Sequence, residues 1–369
     1  MTSARSRYEI LDAFRGVAAV AVLFYHLGSR IGAPMLVPHG YLAVDFFFIL
    51  SGFVLAKAYT ERLKTLTLLE FAQIRIKRFL PLSILGVVLG TTYLLIRWHI
   101  HPQKSDDLAD IIVGSGLNLG LIPKLWIAQA TQDQLFPANS VLWSLSLEMA
   151  VNLVWAMALF RSKSASLWTI VVIAAAVTAA AVYEHGGADL GWGRSTYIGG
   201  LGRAVFGFFL GVLIWRHRPP VRTSTLLSFL AFAALVGVLC QPFMGWAFDS
   251  FSILIAFPTI LYVAASAGMV QEAPIFRILG NLSYPLYAIH LPILMFFTET
   301  LRKYLDSQID YSIYLLTVPI LAGAILLDRY YDVPVRRWLD RKPKDSVNKP
   351  IGTRLASAGP ERPDSEPVV

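Results

Sequence analysis

The sequence predicts an all-α integral membrane protein, a bundle of about ten transmembrane helices with both termini in the cytoplasm. Of its 369 residues, 56% are hydrophobic and only 15% are charged, and the mean hydropathy is +0.57. A soluble domain carries nearer a quarter of charged residues. The apolar residues fall in blocks of roughly 17 to 22, the length that crosses a hydrocarbon core. These blocks lack the alternating pattern of a membrane barrel, so helices are the expected spanning elements.

Ten apolar blocks define the predicted spans. They lie at 10–29, 41–59, 79–97, 140–160, 167–183, 197–215, 225–241, 250–269, 281–298 and 312–331. The longest connection, 98–139, holds two short Gly-rich apolar pieces around 111–127, which we expect to form surface or re-entrant helices; an eleventh span is the alternative. Trp98, Trp192 and Trp215 fall near predicted boundaries, as interfacial ring anchors do.

The distribution of the 32 Lys and Arg residues predicts the orientation. Most of them fall in the segments that a cytoplasmic N-terminus places inside: 1–9, 60–78, 161–166, 216–224, 270–280 and the region after 331. This asymmetry follows the positive-inside rule. We expect the first helix to be an uncleaved signal anchor. Residues 1–338 are predicted to form one membrane domain, and 339–369, which are polar and Pro-rich, a disordered cytoplasmic tail.

Several function classes lose their usual signals. The sequence has no phosphate-binding G-x-x-x-x-G-K-S/T loop, no G-x-G-x-x-G loop and no H-E-x-x-H pair. The single cysteine, Cys240, excludes an internal disulfide and is expected to be inert packing. We therefore expect no metal, no permanently bound cofactor and, despite the net charge of +8, no nucleic-acid partner.

Ionisable residues within the predicted spans are candidates for function, because they are costly in a membrane unless they face protein or a water-filled cavity. Asp12 and Arg15 are three residues apart and share a helix face. Arg15 and His26 lie roughly 16 Å apart along the first helix, about three turns, so both project from nearly the same side. The alternative for His26 is a core histidine bonded to a neighbouring helix.

Asp45 is predicted to lie at the depth of His26, because the short connection 30–40 makes the first two helices antiparallel neighbours. A carboxylate that accepts the imidazole Nδ1–H would fix the tautomer and leave Nε2 as a general base. The alternative is that Asp45 caps its own helix or pairs with Arg30. Glu148, in the fourth span, is a second candidate partner or acid. The predicted catalytic residues are therefore His26, Asp45 and Glu148.

Two further groups of residues complete the predicted site. Arg75 and Arg78 lie one turn apart just before the third span and can hold a phosphate, or else contact lipid headgroups. Polar residues from several other helices converge near the predicted depth of His26, although each alone is more often an interhelical hydrogen bond. The predicted acceptor pocket consists of Trp143, Ser144, Arg203, Tyr284 and His290.

An ordered set of motifs carries a resemblance to a known family. They are L-D-x-x-R-G-x-A at 11–18, D-x-F-F-x-L-S-G-F at 45–53, R-x-x-R at 75–78, W-S-L-x-x-E at 143–148, S-Y-x-x-Y-x-x-H at 283–290 and P-x-R-R at 334–337. From Leu11 to Trp338 the chain resembles the family 3 membrane acyltransferases, which include bacterial O-antigen and exopolysaccharide O-acetylases. It departs mildly at Asp332, where the family often has Glu.

The resemblance implies a multi-pass protein of the bacterial inner membrane that moves an acyl group, typically acetyl, from cytoplasmic acyl-CoA to a hydroxyl of a saccharide or lipid-linked glycan. It marks Arg15, His26, Arg75 and Arg78 as essential. The last two would hold the CoA phosphates while the pantetheine arm passes Arg15. His26 would act as general base, with an acyl-imidazole intermediate as the rival mechanism. Ser144 or helix-end amides would stabilise the oxyanion.

Two other readings of the sequence remain. A proton-coupled transporter also uses about ten spans with buried arginine, histidine and carboxylate side chains, although we find no pseudo-symmetric halves and no paired broken helices. A polysaccharide-assembly scaffold without chemistry is the third reading. Self-association into a homo-oligomer is left open.

Overall fold

The computed structural model describes residues 9–33, 36–218, 224–266, 274–305 and 309–340. Within these ranges the chain is helical apart from its connections. In chain order the helices are α1 (Glu9–Ile31), α2 (Ala43–Tyr59), α3 (Leu68–Ile100), α4 (Leu108–Leu119), α5 (Leu142–Val154), α6 (Ser164–Glu184), α7 (Tyr197–His217), α8 (Thr225–Cys240), α9 (Trp246–Phe251), α10 (Phe257–Ser266), α11 (Pro274–Leu305), α12 (Ile309–Leu327) and α13 (Val333–Leu339). Single π-helical turns extend α5 to Leu159, join α9 to α10 and join α12 to α13.

Eight helical segments of the described chain are long and apolar enough to cross a membrane. They contain α1, α2, α3, α5, α6, α7, the α9–α10 pair and α11. This confirms a multi-pass, all-helical membrane protein. Two of the other predicted spans coincide with α8, which at 16 residues is shorter, and with α12. The count of ten and the cytoplasmic orientation of the termini stay predictions.

The structure differs from the sequence-based expectations at several places. α3 is 33 residues long and begins with a capping box between Thr67 and Glu70, so Arg75 and Arg78 belong to the spanning helix itself. In the connection 98–139, only the first apolar piece is helical, as α4. Cys240 is exposed at the end of α8, so it is not buried packing. The predicted anchor start at 1–8 and the predicted tail from 341 lie outside the described residues.

Glycines bring α2 and α7 into close contact. A Cβ atom at Gly52 would meet the Phe208 backbone, and one at Gly211 would meet the carbonyl of Ile49. Without a hydrophobic driving force between helices in lipid, such small residues allow the close packing that holds the bundle together. The same device joins α1 to α11, where Gly16 lies against the backbone of Leu279. These two tight pairs fix the walls of the interior site.

Gly211→Ala should destabilise the protein by about 1–3 kcal/mol, because the added methyl group cannot fit against the α2 backbone without moving it. Gly237→Ala is the matched control: this glycine is also within a helix, and a Cβ there would meet nothing within 4 Å. Alanine favours helix over glycine, so the control should be neutral or slightly stabilising. Thermal unfolding in detergent measures both, and equal melting temperatures for the two variants would contradict the packing described here.

Candidate active site

Two cavities lie inside the bundle. The arginine cavity has a volume of ≈ 330 Å³ and is lined by Arg15, Arg75 and Arg78 from α1 and α3, and by residues along α2 from Val44 to Tyr59. The histidine cavity, of ≈ 230 Å³, is lined by His26 at the end of α1 and by Tyr41 at the start of the α2 span. Arg15 and Tyr59 line one cavity and His26 and Tyr41 the other, so the two cavities extend toward opposite ends of the antiparallel helices α1 and α2.

The three arginines of the arginine cavity differ in their protein partners. Arg15 donates from Nε to Ser283 Oγ at 2.8 Å and from Nη2 to the Gly280 carbonyl at 2.8 Å, and it pairs with Asp12 at 3.1 Å. Arg75 is buried and its Nε–H has no partner among the described residues. Arg78 is exposed at the cavity mouth, and no described side chain pairs with it. The cavity therefore presents unused guanidinium donors, which suit a phosphate.

His26 lies against α11, the helix that Arg15 also contacts, as the spacing of these two residues predicts. The His26 ring is 5.3 Å from the ring of His290 between centroids. His290 is fully buried, and its Nδ1 lies 2.9 Å from the Leu286 carbonyl and 3.0 Å from the Tyr287 carbonyl. Carbonyls only accept, so Nδ1 carries the proton, and the buried Nε2 has no partner among the described residues.

The predicted hydrogen bond between Asp45 and His26 is absent. Asp45 instead binds Arg203 through two hydrogen bonds, from Nε at 2.9 Å and from Nη2 at 2.6 Å, and both residues are buried. The physical reason is the tight α2–α7 contact, which places the Arg203 fork directly opposite the carboxylate. A bidentate pair of this kind satisfies both groups. Arg203 Nη1 also donates to the Leu190 carbonyl at 2.6 Å.

Glu148 also lies away from His26, contrary to the predicted partnership. It lines the arginine cavity, accepts a hydrogen bond from Ser51 Oγ at 2.6 Å and pairs with Arg75 Nη2 at 3.3 Å. Trp143 is the α5 residue that lines the histidine cavity, and Glu148 lies more than one turn further along the helix, where it lines the arginine cavity. Its observed contact is with the arginines.

The predicted acceptor residues divide between the two cavities. Trp143 and Arg203 line the histidine cavity, with the guanidinium carbon of Arg203 5.4 Å from the Trp143 ring. Ser144 and Tyr284 line the arginine cavity. His290, the fifth, lies beside the His26 ring. The prediction that all five residues lie near the depth of His26 is therefore correct for only some of them.

The two cavities share a wall. Val44 and Tyr287 line both of them. The Tyr287 hydroxyl lies 2.6 Å from Ser144 Oγ and 3.2 Å from the Val141 carbonyl, and its ring packs edge-on against Phe47. The two cavities are therefore neighbours, separated by the Val44 and Tyr287 side chains.

Sequence reasoning missed the outer wall of the histidine cavity, which consists of Tyr25, Gln134, Asp189 and Trp192. Trp192, which the sequence predicts to be a membrane-interface anchor, is part of this lining. Asp189 accepts a hydrogen bond from the Tyr25 hydroxyl at 2.6 Å. The sequence does contain a signal for this wall. The Gly-rich connection 184–196 carries Asp189 and Trp192, a carboxylate and an indole that a simple loop between two helices does not need.

Backbone pairing holds this wall in place. Gln134 forms an isolated bridge with Gly193, and Leu135 N donates to the Trp192 carbonyl at 3.0 Å. Asp133 accepts from the Ser195 hydroxyl at 2.6 Å, and this hydrogen bond lowers the pKa of the Asp133 carboxyl. The carboxylate is thus ionised at neutral pH and keeps the two connections joined.

The apolar helices and the two charged cavities define a multi-pass membrane protein with an interior site. The family model described as an acyltransferase domain matches residues 8–328, nearly the whole of the chain. The chain therefore belongs to the acyltransferase 3 family, and the resemblance carried by its motifs is confirmed. No solved structure matches the chain.

Curated relatives share this sequence at low identity. Protein 2 in picA locus of Rhizobium radiobacter is 34% identical over 175 residues, which are 46% of this chain and 90% of that protein. The putative peptidoglycan O-acetyltransferase YrhL of Bacillus subtilis is 25% identical across 88% of this chain and 54% of its own length. O-acetyltransferase OatA of Staphylococcus aureus is 24% identical across 89% of this chain and 57% of its own length. The chain thus spans little more than half of these two O-acetyltransferases.

Proposed function

We propose that this chain transfers an acyl group from acyl-CoA, bound in the arginine cavity, to a hydroxyl of a saccharide bound in the histidine cavity. The observation that carries the proposal is the shared wall of the two cavities at Val44 and Tyr287. A transferase must bring a donor and an acceptor to one point from two binding sites, and these two cavities adjoin at Val44 and Tyr287.

The arginine cavity fits the donor by its chemistry. The partnerless Arg75 Nε–H and the unpaired Arg78 guanidinium offer donors for the CoA phosphates. Most of the remaining lining is apolar, with Phe47, Phe48, Val54 and Leu55 among it, which suits a pantetheine arm. Arg15 lies between this cavity and α11, beside the path that a thioester would take toward His26.

The reaction needs a base at the acceptor hydroxyl. A ring nitrogen of His26 removes the hydroxyl proton as the acceptor oxygen attacks the thioester carbonyl carbon, and the C–O bond forms. The tetrahedral oxyanion lies near the shared wall, where the Tyr287 hydroxyl would donate to it in place of the Val141 carbonyl, while Ser144 Oγ donates to the Tyr287 oxygen. The C–S bond then breaks, the carbonyl re-forms, and the proton on His26 passes to the CoA thiolate. The products are an acyl ester and free CoA.

His290 takes the orienting place that sequence analysis assigned to Asp45. Its Nδ1–H is held by two backbone carbonyls, so Nε2 is an unprotonated acceptor in the neutral ring next to His26. The two rings are not hydrogen-bonded in the structure; a small rotation during acyl transfer would let His290 Nε2 accept an N–H of His26 and so fix the tautomer that leaves the other nitrogen as base. Asp45 acts only as the counter-ion of Arg203.

The relatives support the nature of the transferred group and of the acceptor. Two of them are named O-acetyltransferases, one for peptidoglycan, so acetyl and a saccharide hydroxyl are the proposed pair. We further propose the bacterial inner membrane as the location, with the arginine cavity on the cytoplasmic side, a proposal that the distribution of Lys and Arg supports. The transporter alternative is not favoured, since the family and the named relatives are acyltransferases.

Arg78→Ala should raise the KM for acetyl-CoA about tenfold or more, with a smaller effect on the acceptor KM, because one charge-assisted phosphate contact is lost. Lys77→Ala is the matched control: this neighbour on α3 pairs with Asp340 and does not line the cavity. Initial rates of CoA release at varied donor concentration measure both. Equal KM values for acetyl-CoA in the two variants would indicate that Arg78 contacts lipid headgroups and does not bind the donor.

A further inference from the structure

The histidine cavity has an unusual balance of charge. Besides His26, its lining contains two ionisable groups of fixed charge, Arg203 and Asp189. The Arg203 cation is paired with Asp45 and also donates to the Leu190 carbonyl. Asp189 receives a hydrogen bond from the Tyr25 hydroxyl and forms no ion pair with a described side chain. Among the described lining residues, the cavity thus offers a free carboxylate oxygen, and its one lining cation is paired with Asp45.

The other lining groups fit a ring-shaped polyhydroxyl ligand. The Trp143, Trp192 and Tyr25 side chains provide flat apolar faces, while Gln134 and Ser140 provide short polar groups. Small-molecule sites combine such an apolar lining with a few placed polar groups that fix orientation. An ionised carboxylate accepts hydrogen bonds only, so Asp189 can bind a hydroxyl but repels an anion.

Asp189 is also coupled in position to the proposed base. Its partner Tyr25 directly precedes His26 on α1, and the rings of Tyr25 and His26 are 5.2 Å apart between centroids. The connection that carries Asp189 is anchored by Asp249, which accepts from the Ala188 N–H at 2.7 Å. A ligand hydroxyl on Asp189 would therefore be held at a set distance from His26.

We infer that Asp189 is the specificity-determining residue for the acceptor, and that the histidine cavity selects an uncharged pyranose over an anionic sugar such as a uronic acid. Asp189 accepts a hydrogen bond from one ring hydroxyl, and a different hydroxyl is thereby presented to His26. This inference rests on the proposed acyl transfer.

The test compares matched acceptors with the purified full chain at saturating acetyl-CoA. The probes are the methyl glycosides of glucose, galactose and N-acetylglucosamine against those of glucuronic and galacturonic acid. The wild-type chain should favour the uncharged glycosides. D189N should raise the KM for the uncharged glycosides at least about tenfold, because a hydrogen bond to a charged group is lost. The KM for acetyl-CoA should stay the same. D189K should shift the preference toward the uronosides.

Glu184→Gln is the matched control, because Glu184 is an exposed carboxylate at the end of α6 that does not line the cavity. It should behave as the wild-type chain does. A wild-type preference for uronosides, or a D189N acceptor KM equal to that of Glu184→Gln, overturns the inference while leaving acyl transfer intact. Failure of the wild-type chain to release CoA with any glycoside overturns the proposed function instead.

Discussion

His26→Gln and His26→Ala should lower the rate of acyl transfer by about 10²–10⁴, because the acceptor hydroxyl then loses its general base. Both variants should still fold, since no described side chain hydrogen-bonds to the His26 ring and no such bond is lost. The measurement is labelled acetyl transferred from acetyl-CoA to the glycoside, with thermal unfolding to establish folding. His185→Gln is the matched control: this exposed histidine at the end of α6 binds only the Ala181 carbonyl of its own helix.

A folded His26→Gln variant with the activity of the control would end the role of His26. The acyl-imidazole rival predicts the same loss of transfer, so a second measurement separates the two mechanisms. Incubation of the wild-type chain with labelled acetyl-CoA alone, followed by rapid quenching, should leave no label on the protein if His26 is a base. Label that is found on the wild-type chain but not on His26→Gln would favour the acyl-imidazole mechanism.

Tyr287→Phe should lower kcat by about 10²–10³, the usual cost of one oxyanion donor, with much smaller changes in the KM values for donor and acceptor. The reason is the position of this hydroxyl at the wall shared by the two cavities, 2.6 Å from Ser144 Oγ. Steady-state kinetics at varied donor and acceptor concentrations measure the effect.

Tyr331→Phe is the control for Tyr287→Phe. It also removes a tyrosine hydroxyl that binds a helix carbonyl, that of Pro81 at 3.1 Å, but lies in neither cavity lining. A comparable drop in kcat for both variants would show that the Tyr287 hydroxyl acts through stability alone. A loss in Tyr287→Phe confined to the donor KM would place this hydroxyl in donor binding.

Helix periodicity was sufficient to find the residues that act along one helix. The spacing of Arg15 and His26 predicts a shared face, and both residues contact α11. The spacing of Arg75 and Arg78 likewise places both in one cavity. These predictions hold because helical geometry over a few turns depends on local sequence alone.

Pairing between helices could not be predicted in the same way. Asp45 and Arg203 are far apart in sequence, and their contact depends on the glycines that bring α2 and α7 together. Judged by its predicted depth in the membrane alone, His26 is as good a partner for Asp45 as Arg203 is. Depth also failed for Glu148, which lines the arginine cavity although Trp143, on the same helix, lines the histidine cavity. The partner of a buried charge is set by the rotation and distance of the neighbouring helix, which hydropathy does not encode.

The outer wall of the histidine cavity was the least predictable part of the site. Asp189 and Trp192 lie in an irregular connection that is positioned by backbone bonds to a second connection, around Gln134. Irregular segments have no periodicity from which the direction of a side chain can be read. The Trp192 ring satisfied the interfacial-anchor pattern equally well.

The most direct test of the account is the balance of products made by the purified chain in liposomes. With acetyl-CoA labelled in the acetyl group and an uncharged methyl glycoside, the account predicts one labelled ester for each CoA thiol released, and neither product with His26→Gln. Thiol release without ester would make the protein a thioesterase. Movement of the glycoside across the bilayer without acetyl-CoA, and with no ester formed, would contradict acyl transfer and favour a transporter.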